Sequence, residues 1–509
     1  MVDIIREPDN MKIFCDEENI DTKVRFEFAG RKLKVFVTAN KSRPQKIALR
    51  WHHRVNYPVK VLGDSWERTC GNVSWHNLSG EDFMPWYVLS YDGKNTTGCG
   101  VLTGASSFVC FQRDASGITA WIDVRCGAIG VDLSGRELHA CTFVCEKYED
   151  EPFIAAKKFC SLMCENPIFP KEPIYGGNNW YYAYGESSYE EIMEDARLMA
   201  RLAGENKNRP FMVIDDGWQI NKCDGPWLPN EKFKDMKKVA EEFKKLGVRP
   251  GIWFRPLKNT KMEEEHPDWC LVKGPLKNLD PSHPDVKKLI KEDIARIKSW
   301  GYELIKHDFT FYDANGSFST TLKSGVTNHT GWSFYDKKKT GAEILLELYK
   351  LIKEAAGDTY ILACNVSAHL TAGYSEISRI GCDTSGRVWE YNRKHGLNAL
   401  AFRLCHDNTF YKADADCVGV LEKNIPWELN RQWLDLLAKS GTPLFVAIQP
   451  SALTSEMEKD LKEAFRINSI QKDSAKPLDW LYNNSPQEWE INGKKTEYDF
   501  LMDEYPEMR

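Results

Sequence analysis

The stretch HPDVKKLIKEDIARIKSWGYELIKHDF, residues 283–309, decides the fold. It opens on a His-Pro helix-start turn, continues with amphipathic helical spacing and stops at Gly301, a residue suited to the position just past a helix end. The apolar run that follows, YELIKHDF (302–309), reads as a short strand ending on charge. A helix, a glycine and a buried strand make one βα repeat, and the chain repeats it on both sides. Candidate strands stand at NNWYYAY (178–184), FMVIDDGW (211–218), RPGIWFRP (249–256), YELIKHDF, YILACNV (360–366), ISRIGCD (377–383), YKADADCVGV (411–420) and TPLFVAI (442–448). Helical segments such as SYEEIMEDARLMARLAG, KDMKKVAEEFKKLG, GAEILLELYKLIKEAAG and PWELNRQWLDLLAKSG fall between most of them. Only SAHLTAGYSE separates the fifth strand from the sixth, too short for a full helix. Eight strands over residues 165–455 predict an α/β fold, a (β/α)8 TIM barrel.

Residues 1–160 have a different grammar. KVRFEFAGRKLKVFVTA alternates apolar and polar residues about a Gly turn, and short Gly-punctuated runs continue to LHACTFVCEKY. This predicts an N-terminal antiparallel β-sandwich with no long amphipathic helix. Residues 456–509 predict a C-terminal helix and a β-hairpin tail. The 68 Lys and Arg nearly balance the 74 Asp and Glu, a net charge of −6, which argues against a nucleic-acid groove. Hydrophobic content of 42% argues against disorder, and 12% aromatics with 17 Trp suits sugar rings, though large cores use them too. The start, MVDIIREPDNMKIF, lacks the pattern of a signal peptide, and no apolar run approaches the roughly 20 residues that span a bilayer. The expectation is therefore a cytoplasmic protein without a membrane partner. Its 15 scattered cysteines are expected to be reduced thiols without metal-ligand spacing.

Barrel enzymes place their chemistry at the C-terminal ends of the strands. The residues predicted there are Trp180; Asp215, Asp216 and Trp218; Trp253 and Arg255; Lys306 and Asp308; Cys364 and Asn365; Arg379 and Asp383; and Asp414 and Asp416. Carboxylates, cations and Trp at one rim suit glycoside cleavage. One carboxylate captures the oxocarbenium-like carbon while a second acid protonates the leaving oxygen. Asp308 and Asp383 are the candidate pair, and Lys306, on the same face as Asp308, favours its ionised form. Trp218 and Trp253 suit core packing or sugar contact equally, and Arg255 could instead pair with a rim carboxylate. Asp313 reads as a turn acid before Asn315-Gly316, His307 as a packed side chain, Cys364 as a pocket wall, and Asp414 and Asp416 as structural.

Four motifs in order carry a family resemblance. IDDGWQ looks like the sugar-binding Asp-Asp-Gly/Cys-Trp motif, and IKHDF like the Lys-x-Asp nucleophile motif. SRIGCDTSGRVW is similar to the segment with an Arg four residues before the acid/base Asp, and ADADCVG to an Asp-Pro-Asp-Cys stretch. The chain thus resembles the retaining α-galactosidase and α-N-acetylgalactosaminidase clan, glycoside hydrolase families 27 and 36, and its leading sandwich favours family 36. The resemblance implies Asp308 as nucleophile and Asp383 as acid/base. It implies Asp215 and Asp216 at the sugar's 4- and 6-hydroxyls, Lys306 at O3 and O4, Arg379 near the 2-position and Trp180 at the sugar face. Cys364 matches the family's Cys at the end of strand five. After it, CNVSAHLTAG departs from the family pattern: Ser367 and Ala368 could admit a 2-acetamido group, or Asn365 could bond a 2-hydroxyl. The expected activity is hydrolysis of terminal α-D-galactosides, with an α-N-acetylgalactosaminidase, a raffinose-synthase-like transglycosylase and a non-catalytic sugar-binding barrel as alternatives. The expected partner is an oligosaccharide or glycoside substrate, with no nucleic acid, no cofactor and no metal; a homo-oligomer stays open.

Overall fold

The computed structural model describes residues 3–17, 21–55, 58–423, 425–472 and 474–501. Nine parallel strands form one sheet in the order 412–414, 377–379, 360–363, 304–307, 249–254, 211–214, 175–178, 444–448 and 417–420. The two end strands, Lys412–Asp414 and Cys417–Val420, are neighbours in the chain. They are the single expected strand YKADADCVGV interrupted at Ala415 and Asp416, where Asp416 has φ 75°. The sheet therefore closes on itself as an eight-stranded barrel whose seventh strand is broken.

Alternation within each strand separates barrel interior from outer layer. Leu304 packs inside with Phe211, Val213, Leu362, Ile377 and Phe445, while Ile305 joins the core shared with the helices. Lys306 and Asp308 continue the inward-facing series of Leu304 toward the C-terminal end of the strand. The first strand differs from expectation: it is Tyr175–Asn178, and Trp180–Ala183 is a helical turn. Asn178 ends the strand by accepting the Trp180 backbone N–H at 2.9 Å. Within YGGN, Gly176 (φ 149°) lies so close to its neighbour that a Cβ would sit 1.9 Å from the Phe211 carbonyl oxygen. That close approach requires glycine and removes the apolar alternation by which a strand is recognised.

The five expected helices are Tyr189–Ala203, Met236–Lys245, Pro284–Ser299, Gly341–Ala356 and Trp427–Ser440. Ser188 and Thr340 begin two of them with capping boxes. The fifth and sixth strands are joined by a single turn, Ala368–Thr371, as their short separation required. Between the sixth and seventh lies helical chain from Trp389 to His406, which passes through a π-helical segment at Asn392–Asn398.

Before the barrel, strands 10–15, 44–52, 117–123, 108–114 and 84–85 form one antiparallel sheet. Strands 23–29, 32–38, 138–148, 96–101, 87–91, 60–63 and 76–77 form the other, and Leu33, Val35, Ile47, Trp51, Phe111 and Phe143 fill the space between. The stretch expected to hold only sandwich ends instead in a helix, Pro152–Met163, whose Phe153, Phe159 and Met163 are buried. Sandwich and barrel share a core that includes Trp66, Trp86 and Tyr87. Arg403, fully buried, ties them together, donating to Asp64 Oδ1 at 2.7 Å and to the carbonyls of Ser65, Glu67 and Ile380 at 3.2, 2.6 and 3.0 Å.

After the barrel come helix Ser455–Asn468 and the hairpin Glu488–Ile491/Lys494–Glu497; residues 502–509 of the expected tail lie outside the described residues. The expectation of reduced cysteines needs one correction. Cys70 of the sandwich and Cys382 of the barrel form a disulfide across 312 positions, and among the described residues no other disulfide is formed. Among the described residues no helix is long and apolar enough to cross a membrane.

Candidate active site

Asp308 stands just past the fourth strand, where its backbone N–H still bonds the Phe254 carbonyl at 2.9 Å. Three N–H groups converge on its carboxylate. Trp253 Nε1 donates to Oδ2 at 3.0 Å, Phe309 N to Oδ1 at 2.7 Å, and Asn365 Nδ2 also to Oδ1. These fix the orientation of the group before any ligand arrives. Asn365 and Phe309 hold φ of 50° and 61°, backbone that non-glycine residues seldom adopt and that collects at functional loops.

The second strand delivers Asp215 and Asp216. Asp215 Oδ2 accepts from Asn178 at 2.6 Å and from the Lys306 ammonium at 2.7 Å. Burial works to lower the Lys306 pKa, but Asp215, Cys364 and Asp308 together outweigh it and raise the group above its ordinary value, so this lysine stays charged. Asp216 accepts from Gln219 Nε2 at 2.5 Å, Cys223 N at 2.7 Å and the Cys223 thiol at 2.8 Å, which secures the hairpin following the strand.

At the end of the sixth strand, Arg379 is held between Asp416 at 2.6 Å and Asp383 at 3.2 Å. Asp416 in turn accepts from Tyr181 Oη and from Thr384 N at 2.8 Å. The Asp383 side chain is 53% exposed at the mouth of the pocket, and Arg68 lies 3.6 Å from its Oδ1 on the other side. Desolvation works to raise the Asp383 pKa, yet Arg379, Arg68 and Lys306 together hold it below the usual carboxylate value.

One pocket of about 110 Å³ gathers these groups. Of the predicted residues, Trp180, Asp215, Asp216, Trp253, Lys306, Asp308, Cys364, Asn365, Arg379 and Asp383 line it. Two do not. Trp218 is fully buried with its Nε1 bonded to the Trp253 carbonyl at 2.9 Å, a core position behind the pocket. Arg255 is turned to Asp313, at 2.9 and 2.6 Å, and stacks over Phe309. Asp313 is accordingly a fully buried ion-pair partner on helix Thr310–Asn315, not a solvated turn acid. Ser367 and Ala368, the candidates for admitting an acetamido group, are buried away from the pocket, and Ser367 N bonds Tyr349 Oη at 3.0 Å. Burial, then Asp308, raises the Cys364 thiol well above its ordinary value, which suits a wall and not a nucleophile.

Four lining residues lie outside the expectation from sequence: Arg68, Tyr181, Cys223 and Phe309. Tyr181 and Phe309 adjoin residues within it, so their neighbourhood is a signal. Arg68 comes from the sandwich, far upstream. Among the described residues, Cys160, Cys405 and His406 are close enough to share a metal ion. Both His406 nitrogens instead face tyrosine hydroxyls, Tyr87 at 2.9 Å and Tyr411 at 3.3 Å, and the trio is buried core apart from the pocket.

Fold and site together define a (β/α)8 barrel led by a β-sandwich, with a carboxylate-rich pocket at the C-terminal ends of its strands. No family model and no curated protein sequence matches the chain. Solved structures do match it, α-galactosidases among them. An α-galactosidase from Thermus thermophilus, in complex with p-nitrophenyl α-D-galactopyranoside, is 16% identical with a TM-score of 0.65, over 96% of this chain and 100% of that one. A family 36 α-galactosidase from Geobacillus stearothermophilus is 14% identical with a TM-score of 0.63, over 95% of this chain and 76% of that one. The α-galactosidase from Lactobacillus brevis is 12% identical with a TM-score of 0.57, over 91% of this chain and 70% of that one. At such identities the likeness is one of fold, and it is to the fold expected from the motifs.

Proposed function

We propose that the chain is a retaining exo-glycosidase that hydrolyses terminal α-D-galactosides by double displacement. The observation that carries this is the convergence of Asp308 and Asp383, from strands four and six, on one small pocket. Asp308 is the nucleophile on the anomeric carbon, and Asp383 protonates the departing oxygen. Asp383 then takes a proton from the water that cleaves the glycosyl-enzyme. The low pKa of Asp383 before substrate binds suits this second step and opposes the first. Asp215, Asp216 and Lys306 offer acceptors and a donor to sugar hydroxyls, and Trp180 an apolar face.

Two features favour galactose over its N-acetylamino counterpart. Ser367 and Ala368 make no room in the pocket wall. The Asn365 amide is committed to Asp308 through Nδ2 while its buried Oδ1 has no partner, an acceptor suited to a 2-hydroxyl. The solved relatives add support through their printed ligands, the nitrophenyl galactoside above and stachyose for the same Thermus enzyme. The test is hydrolysis of p-nitrophenyl α-D-galactopyranoside. The wild type is expected to release the α-anomer first, and Asp308→Ala to lose nearly all turnover. A β-anomer as first product, or an Asp308→Ala variant as active as wild type, would overturn the mechanism.

A further inference from the structure

Three cations line the pocket, and two are committed. Lys306 is bonded to Asp215, and Arg379 is held by Asp416 and Asp383. Arg68 is different. Its side chain is only 17% exposed, its ion contact is Asp383 at 3.6 Å, and among the described residues no acceptor takes any of its N–H groups. A guanidinium that lines the pocket with no protein acceptor on its donors is open to an acceptor supplied by a ligand.

The backbone beneath Arg68 is fixed from several sides. Thr69 N bonds the Ile380 carbonyl at 3.0 Å, Cys382 N bonds the Thr69 carbonyl at 2.9 Å, and Ser319 Oγ bonds the Arg68 carbonyl at 3.2 Å. Arg403 grips the carbonyls of Ser65 and Glu67, and the Cys70–Cys382 disulfide closes the attachment. The backbone that brings the guanidinium within 3.6 Å of Asp383, the group that meets the leaving oxygen, is thus fixed.

We infer that Arg68 selects α-galactosides whose leaving group carries an oxyanion, a carboxylate, sulfate or phosphate, close to the scissile bond. This rests on the α-galactosidase reading of the pocket. A guanidinium fork matches such an anion with two parallel hydrogen bonds. Binding also removes one of the positive charges that keep Asp383 ionised, so the acid gains the proton that its first step requires.

The test compares kcat/KM for an α-D-galactoside of glucuronic acid with that of its neutral methyl ester, and likewise for α-galactosides of glucose 6-sulfate and glucose 6-phosphate against glucose. The wild type is expected to prefer at least one charged member by roughly ten- to a hundredfold, the range of a charge-assisted hydrogen bond. Arg68→Gln is expected to bring that ratio close to one, and Arg68→Lys to restore part of it. Calorimetric binding of the same pairs to an Asp308→Asn protein, with and without Arg68→Gln, reads recognition apart from turnover. Turnover without a charged preference, or a preference that survives Arg68→Gln, overturns the role of Arg68 and leaves the α-galactosidase reading intact. Charge-selective binding lost in Arg68→Gln, with no wild-type turnover of any α-galactoside, supports Arg68 and overturns that reading. Absence of both turnover and binding overturns both.

Discussion

Single residues at this site are set by what their polar atoms touch, and Glu67 shows the cost of touching little. It is 1% exposed, Oε1 has no partner, and Oε2 meets only the Ser319 N–H at 3.5 Å. Burial pushes its carboxyl up to about 7, with Arg68 pulling the other way. The native state therefore keeps a proton that an unfolded glutamic acid, with a pKa near 4.3, gives up. Stability should fall as pH rises between those values and level off above 7, by on the order of 3 kcal/mol if the shift is fully expressed. Glu67→Gln, which cannot ionise, should flatten that slope in urea unfolding measured from pH 5 to pH 8. An unchanged slope would remove Glu67 as its source. Its neighbour Arg68 and the hairpin residue Cys223 are not legible in the sequence for a related reason. A side chain's place in a pocket is visible only when its own element has a recognisable rim, as Asp308 and Asp215 have at the ends of apolar strands. Position 68 follows a short strand of another layer, and nothing in its spacing points toward Asp383.

Among the elements, apolar strands with charged ends are legible, and those whose geometry depends on close packing are not. Phe211–Ile214 and Leu444–Ile448 are fully apolar runs, whereas Tyr175–Asn178 is half glycine because it lies against its neighbour. The broken seventh strand follows from Asp416, whose left-handed backbone interrupts the pairing and whose carboxylate supports Arg379. Asp313 reads as a turn acid because DANG is a turn signal, and the turn does exist at Gly316 (φ 69°). At the start of that motif, however, the helix turns its acid inward to Arg255. The disulfide is equally invisible, since only the folded chain brings Cys70 and Cys382, with Cα atoms 5.1 Å apart, together. It ties the loop bearing Asp383 to the segment bearing Arg68. A cross-link over so long a loop is expected to contribute about 2–4 kcal/mol. Dithiothreitol should therefore lower the melting temperature of the wild type and leave a Cys70→Ser/Cys382→Ser protein unaffected. Equal melting of the wild type with and without reductant would show that the bond does not hold the two segments.

For the whole molecule, the β-sandwich completes the barrel's pocket, and Arg403 is where stability and function can be told apart. Removing this side chain alone leaves Asp64 buried without its ion partner, a loss of roughly 3–5 kcal/mol. Replacing both partners with apolar residues removes the stranded charge, and such exchanges of a buried pair are often neutral. The same exchange still deprives the Ser65 and Glu67 carbonyls of their donor, and Glu67 directly precedes Arg68. Arg403→Met is thus expected to be strongly destabilised in denaturant unfolding. Arg403→Met/Asp64→Leu should recover most of that stability and still show reduced kcat/KM on α-galactosides. The deficit arises because the segment delivering Arg68 to Asp383 then loses its Arg403 bonds and keeps the disulfide, the Thr69–Gly381 bridge and the Ser319 bond. A double variant with both stability and kcat/KM of the wild type would mean that those three suffice, and that Arg403 serves only to join the two layers.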